Sequence, residues 1–212
     1  PYDSFFTYLA GVKGQTILLS PNSNQAIFDT IGAHNTLVQL PTPGNLMKAV
    51  KNATELEGFR TVMVRDGVAM VKFLYWLTHN VGKEPMTEYS VGLKLRDFRA
   101  EGANFVGESF GSIIGYQGNG AIVHYSAPEQ GSSELKAEGS ILVDSGGQYL
   151  EGTTDITRTI PLGKVSQQFI DDATLVLKGM IQLAMVQFPK GTRGVQLDAY
   201  ARMALWKCHK DY

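Results

Sequence analysis

The feature that most constrains the fold is a block of short strand-like runs enclosed by segments with helical periodicity. Apolar or β-branched residues occupy 109–116, 121–125, 140–145, 148–151 and 155–160, and glycine-containing turns separate several of these runs. Short runs joined by tight turns are typical of antiparallel pairing. Helices before and after such a block pack on one face of the sheet. The sequence therefore predicts an α+β fold, with an antiparallel sheet and helices on one face.

Helical periodicity is present on both sides of the strand block. Thr54 is predicted to cap a long amphipathic helix that ends near residue 79. A second helix is predicted to begin near Thr87, and two more over about 165–188 and 196–209. The apolar stripe of the first helix is predicted at Val64, Val68, Val71, Leu74 and Leu77.

The first forty residues read as a separate piece. A strand is predicted at 15–20, a short helix at 25–31 and another strand at 36–40. Two prolines and a glycine within 41–44 oppose continuation of helix or sheet, which makes this segment the best boundary signal. We expect residues 1–44 to be the tail of a preceding domain and residues 45–212 to form a second one.

Composition excludes several classes of partner. A net charge of −1 and a pI near 6.5 provide no basic surface for nucleic acid or an anionic membrane. The apolar runs are too short to span a bilayer, and no export signal opens the sequence. One cysteine, Cys208, excludes an internal disulfide and is expected to pack inside a helix. These features predict a cytoplasmic protein with no nucleic-acid or membrane partner.

Two aspartates flank the glycine-containing turn at 145–147. Asp144 ends an apolar strand and Asp155 begins a β-branched one, so antiparallel pairing would bring both carboxylates to the same end of the sheet. Two close anions repel each other unless a cation lies between them. Hard divalent ions such as Mn²⁺ or Mg²⁺ accept carboxylate oxygens, and Asp144 and Asp155 are therefore candidate metal ligands.

The residues alone leave other interpretations open. Asp144 could instead cap a turn, with Asp155 paired to Arg158 and no metal involved. His124 lies in the predicted strand 121–125 and could be a packed core or edge residue. If it faces the metals, it can donate a hydrogen bond to a substrate carbonyl or a developing oxyanion.

Several motifs in order resemble one enzyme family. The strings NFVGESF at 104–110, GNGAIVHY at 118–125, LVDSGGQY at 142–149 and GTTDITRT at 152–159 are similar to Xaa-Pro aminopeptidases (aminopeptidase P). These belong to the pita-bread metallopeptidases, together with prolidase, creatinase and methionine aminopeptidase. The resemblance extends from residue 52 onward. It implies a partial pita-bread fold, preceded by the end of a creatinase-like N-terminal domain at residues 1–44.

The resemblance also implies a site and an activity. Asp144 and Asp155 match the two aspartates of a two-metal centre, usually Mn²⁺, completed by one histidine and two glutamates. His124 matches the histidine that contacts substrate and helps to stabilise the transition state. A hydroxide held by the metals would attack the peptide bond before proline and release the N-terminal residue.

The remaining three ligands of the family pattern are expected beyond Tyr212, so the 212-residue chain is expected to be inactive alone. Uncovered sheet edges would permit a homodimer. Two alternatives remain: a prolidase acting on Xaa-Pro dipeptides, and a pita-bread module retained only for binding. Retention of both aspartates disfavours the second.

Overall fold

The structure, a computed structural model, describes residues 2–212 and divides into two compact units after Gly58. In the first unit two short strands pair in parallel, with Thr16 opposite Thr36. The strand–helix–strand prediction for this region is confirmed. The elements are a 3-10 helix (Tyr2–Ser4), α1 (Phe5–Gly11), β1 (Thr16–Leu19), α2 (Gln25–Gly32), β2 (Thr36–Gln39) and α3 (Pro43–Ala49).

The prediction that residues 41–44 oppose a helix is wrong, because Pro43 begins α3. Proline is well tolerated in the first helical turn, where the amide hydrogen it lacks would have no partner within the helix. The predicted domain division after residue 44 stays a prediction.

The second unit begins within a long helix and contains the predicted strand block. Among residues 2–212, no helix has both the length and the apolar character needed to cross a membrane. The elements are α4 (Ala53–Asn80), α5 (Glu88–Ala100), β3 (Phe105–Glu108), β4 (Ile113–Tyr116), a 3-10 helix (Gln117–Ala121), β5 (Ser140–Ser145), β6 (Gly147–Tyr149), β7 (Gly152–Thr153), β8 (Ile156–Pro161), α6 (Gln167–Met185) and α7 (Gly194–Trp206).

Two three-stranded antiparallel sheets position the second half of the chain. Their strand orders are β3-β6-β7 and β4-β5-β8, with β5 central in the latter. Ile113 lies opposite Asp144 on one side of β5, and Thr157 lies opposite Asp144 on the other. The predicted antiparallel pairing of the strands that carry the two aspartates is therefore confirmed.

The core of this unit lies between α4, α5 and the β4-β5-β8 sheet. Phe73, Leu95 and Ile141 are among its fully buried members. Burying side chains of this size contributes about 1.5–3 kcal/mol each relative to exposure. The sheet that carries the candidate site is thus held on one face by two helices.

The predicted stripe on α4 is only partly correct. Leu77 is buried, but Val64, Val68 and Val71 are 52–70% exposed. The helix carries apolar residues on more than one face, and periodicity alone cannot tell which face is covered. The N-cap also differs from the prediction: Asn52, not Thr54, exchanges hydrogen bonds with the Glu55 amide and carboxylate. The buried positions are Val62, Asp66, Ala69, Met70, Phe73 and Leu77.

Two further expectations are wrong. Residues 121–125 do not form a strand, because the chain leaves β4 through a 3-10 helix and then a turn. Cys208 is exposed rather than packed, because α7 ends two residues earlier, at Trp206.

A buried ion pair joins the two core helices. Arg99 of α5 donates from Nε and Nη2 to the two carboxylate oxygens of Asp66 of α4, at 2.8 and 3.2 Å. The hydroxyl of Tyr149, on β6, donates to the same carboxylate at 2.9 Å. Burial, reinforced by this hydrogen bond, raises the pKa of Tyr149 well above its usual value. Two helices and one strand therefore meet at a single carboxylate.

Asp66→Ala is expected to lower the free energy of unfolding by about 3–5 kcal/mol, because it leaves the Arg99 guanidinium buried without its counter-ion. Urea unfolding of the protein measures this loss. The matched control is Lys72→Ala, which breaks the Lys72–Glu101 pair between the same helices at a half-exposed position. That change should cost less than about 1 kcal/mol. Equal losses in the two variants would contradict the assignment.

Candidate active site

The β5–β8 pairing places the two predicted metal ligands at the same end of the sheet. Asp144 is half-buried on β5, and its Oδ1 accepts a hydrogen bond from the Thr157 hydroxyl at 2.8 Å. Asp155 is exposed and directly precedes β8, just beyond the paired Ser145 and Ile156. Asp144 is therefore oriented by its strand partner, while Asp155 is accessible to solvent.

The turn between the two aspartates is tightly fixed by backbone contacts. The Gly147 amide donates to the Thr154 hydroxyl, and the Thr154 amide donates to the Gly147 carbonyl, both at 2.9 Å. Ser109 donates from its hydroxyl to the Thr154 carbonyl, also at 2.9 Å. A Cβ added at Gly146 would lie 2.0 Å from the Thr154 carbonyl oxygen. Glycine is required at this position because the two chain segments approach too closely for any side chain.

A second polar cluster supports the same turn from outside. Asn104 donates to Glu151 Oε1 at 2.6 Å, and Arg65 Nη1 lies 3.0 Å from the same oxygen. These hydrogen bonds, from Asn104 first and then Arg65, hold the pKa of the Glu151 carboxyl below its usual value. The turn that carries Asp144 and Asp155 is thus connected to α4 and to the segment before β3.

His124 lies in a turn and is exposed, not in a strand as predicted. The turn is closed by a hydrogen bond from the Tyr125 amide to the Ile122 carbonyl at 3.2 Å. The backbone of His124 has a φ of 57°, in the left-handed region that few side chains adopt. Such a conformation costs on the order of 1–3 kcal/mol and persists only where the surroundings impose it.

His124 and Asp144 line one cavity of about 230 Å³. Gly120 lies in its wall and packs against β4 so closely that a Cβ on Gly115 would be 2.7 Å from the Gly120 Cα. This close approach brings the 3-10 helix and the following turn over the sheet. The lining residues are Ile113, Gly120, Ile122, Val123, His124, Leu142, Asp144 and Thr157.

Glu88 is a site-building residue that the sequence did not reveal. Its carboxylate is fully buried and accepts hydrogen bonds from the Tyr116 amide at 2.7 Å and the Tyr125 hydroxyl at 2.8 Å. Burial, and then the bond to Glu88, raises the pKa of Tyr125. Glu88 occupies the first position of α5, where an acidic residue is ordinarily solvated. No local pattern distinguishes this buried acid from a surface one.

The non-metal alternative for the aspartates does not describe the structure. Arg158 donates to the Thr157 carbonyl at 2.7 Å, and no ion pair between Asp155 and Arg158 forms within the described residues 2–212. Asp144 accepts from a side chain on the neighbouring strand and does not cap a turn.

The donor set fits a divalent ion in part. Two carboxylates at one sheet end are hard oxygen ligands that Mn²⁺ or Mg²⁺ accept. Over the part of the chain that the structure describes, no group of three or more His, Cys, Asp or Glu residues is arranged to hold a metal ion. Asp144 and Asp155 can therefore supply a share of the ligands of a metal centre.

The model of the Metallopeptidase family M24 matches residues 57–212. The chain belongs to this family. It is 40% identical over 218 residues to Xaa-Pro aminopeptidase 1 of Dictyostelium discoideum, a match that covers 100% of this chain and 34% of that protein. The M24 chain thus spans about a third of the length of the curated relatives it matches.

Solved structures share the M24 fold. The X-prolyl aminopeptidase of Caenorhabditis elegans, described as a cytosolic enzyme with a di-nuclear active site, superposes with a TM-score of 0.88 at 33% identity. That match covers 98% of this chain and 35% of the other. The prolidase of Pyrococcus furiosus matches with a TM-score of 0.71 at 17% identity, covers 98% of this chain and 59% of the other, and shows the fold alone. The predicted partial pita-bread fold is confirmed.

Gly146→Ala is expected to destabilise the M24 unit by about 1–3 kcal/mol, because the added methyl group must displace the Thr154 backbone. Thermal unfolding measures the change. Gly107→Ala, in β3, is the matched control, since nothing lies within 4 Å of a Cβ added there. A Gly146→Ala protein as stable as the control would show that the turn is not closely packed.

The 212-residue chain is expected to bind Mn²⁺ no more tightly than about millimolar, the range for weak carboxylate sites. Calorimetric titration of the chain measures the affinity, with an Asp144→Ala/Asp155→Ala double variant as the baseline. Micromolar binding that persists in the double variant would place the ion elsewhere. Micromolar binding that the double variant abolishes would reveal a further ligand beside the aspartates.

Proposed function

We propose that the complete protein is a metal-dependent exopeptidase that releases the N-terminal residue from peptides with proline in the second position. The observation that carries the proposal is the cavity shared by His124 and Asp144, at the sheet end that also carries Asp155. The relatives at 33–40% identity are named as X-prolyl or Xaa-Pro aminopeptidases, which supports this substrate class over the other M24 activities.

Asp144 and Asp155 are proposed to hold two divalent ions together with ligands contributed by the rest of the complete protein. Manganese is the proposed metal, because the donors are carboxylates. Ions bound there would supply Lewis acidity toward the peptide carbonyl and an activated water. Thr157 orients Asp144 by donating to Oδ1, which leaves the second carboxylate oxygen, Oδ2, for a metal ion.

His124 is proposed to act on the substrate rather than on the metal. Its ring shares the cavity with Asp144, so a peptide carbonyl bound between them would lie within reach of a hydrogen bond from the imidazole. Such a donor stabilises negative charge that develops on the carbonyl oxygen in the transition state. The strained backbone at His124 is consistent with a side chain that is held for function.

The remaining parts of the proposal concern the setting. A peptide is the expected partner, and the cytosol is the proposed compartment, in keeping with the C. elegans neighbour described as cytosolic. Residues 1–44 are proposed as the end of a preceding domain. Pairing between uncovered strand edges is the proposed route to a homodimer.

Asp144→Ala and Asp155→Ala are each expected to lower Mn²⁺-dependent release of the first residue from an Xaa-Pro-Xaa tripeptide by at least about 100-fold, because each removes a metal ligand. Kinetics on the complete protein measure kcat/KM. The control is Asp171→Ala, since Asp171 is exposed on α6 and bonds only Gln167 of the same helix.

Full activity in either site variant would refute the assignment of the aspartates. The same assay with an Xaa-Pro dipeptide separates the two M24 activities. A dipeptide hydrolysed faster than the tripeptide would replace the proposed aminopeptidase with a prolidase.

A further inference from the structure

Glu88 combines full burial with an absence of charge compensation. Its side chain has no exposed surface, and no ion pair to it forms among residues 2–212. A buried carboxylate without a cation is costly unless hydrogen bonds replace its hydration. The other buried acid of this unit, Asp66, has Arg99 as its partner. The two acids are therefore accommodated by different means.

Four donors saturate the two oxygens of Glu88. Oε1 accepts from the Tyr116 amide at 2.7 Å and from the Asn119 side-chain amide at 3.0 Å. Oε2 accepts from the Tyr125 hydroxyl at 2.8 Å and from the Ser133 amide at 3.2 Å. Hydrogen bonds to an acceptor of this kind are each worth about twice a neutral one.

The donors lie on both sides of His124 in the chain. Tyr116 and Asn119 precede it, Tyr125 directly follows it, and Ser133 closes the next loop. Asn119 also lies 3.1 Å from the Tyr125 hydroxyl, so the two sides of the loop are joined to each other as well as to Glu88. The segment between Asn119 and Tyr125 is thereby closed on the side opposite the cavity.

We infer that Glu88 is a positioning residue: its carboxylate holds both flanks of the loop that presents His124 to the Asp144 cavity. The left-handed backbone of His124 needs surroundings that impose it, and the bonds to Glu88 supply them. The inference rests on the proposed role of His124 at the peptide carbonyl. A displacement of a positioned group by about 1 Å can cost about 100-fold in rate.

Two substitutions test the network at different depths. Glu88→Gln keeps the volume but replaces one acceptor oxygen with an amide donor, which opposes at least one backbone amide that now donates to Glu88. Tyr125→Phe is milder and removes only the hydroxyl next to His124. It keeps the test decisive if Glu88→Gln does not fold.

In the complete protein, Tyr125→Phe is expected to lower kcat/KM for the tripeptide roughly tenfold, the effect of one hydrogen bond to a charged acceptor. Combined with His124→Ala it should cause no further loss, because both changes act through the same imidazole. The matched control is Tyr149→Phe, which deletes a phenol–carboxylate bond of similar length, to Asp66. Its effect should add to that of His124→Ala.

Nuclear magnetic resonance of histidine Cε1 provides a readout that needs neither metal nor activity. The His124 signal, assigned with His124→Ala, should shift in Tyr125→Phe and in any folded Glu88→Gln protein. It should stay in place in Tyr149→Phe. A structural role without positioning would move it in none of the variants or in all of them equally.

The outcomes separate the two claims. Wild-type protein inactive on the tripeptide would refute the proposed function, while the histidine signal still decides whether Glu88 positions His124. An active wild type with an unmoved signal in Tyr125→Phe would overturn the inference and leave the function intact. Additive losses in Tyr125→Phe/His124→Ala would overturn it as well.

Discussion

The geometry of the candidate site depends first on the ion pair between Asp66 and Arg99. This pair joins α4 to α5 inside the core, and Tyr149 connects it to β6. Since β6 begins one residue after Gly146, the orientation of the whole turn follows from this contact. Two charges can remain in such an interior because each satisfies the other through two hydrogen bonds.

The two buried acids divide the support of the site between them. Asp66 acts on the turn that carries Asp144 and Asp155, whereas Glu88 acts on the loop that carries His124. Both acids lie on the core helices, and the residues proposed to meet substrate lie at a strand end, before a strand and in a turn. Rigid helices thus hold short irregular segments in place, which is the usual division between scaffold and functional residues.

Much of this arrangement could be predicted from the sequence. The β5–β8 pairing and the shared position of Asp144 and Asp155 follow from local signals, namely alternation, β-branching and a glycine turn. The path of 117–125 could not be predicted, because apolar residues at Ile122 and Val123 imitate a strand while both are exposed in a turn. Its course is decided by long-range bonds to Glu88, which no local pattern encodes.

The buried face of α4 was hidden for a related reason. Asp66 lies four residues after Val62 and three before Ala69, on the stripe that the core covers. A charged residue on a stripe reads as solvent-facing unless its partner is known, and Arg99 is on another helix. The complementary charges on the two helices were the available signal. It becomes readable only when the helices are considered as a pair.

The central place of β5 has a consequence for errors in assembly. Its residues alternate between faces, so a slip of one position against β4 and β8 would put Val143 or Ser145 where Asp144 stands. Such a sheet would retain nearly all of its backbone hydrogen bonds and lose the chemistry entirely. The side-chain-free contact at Gly146 admits only one alignment of the turn. Correct function is thereby tied to an all-or-none choice of register, not to a graded quality of packing.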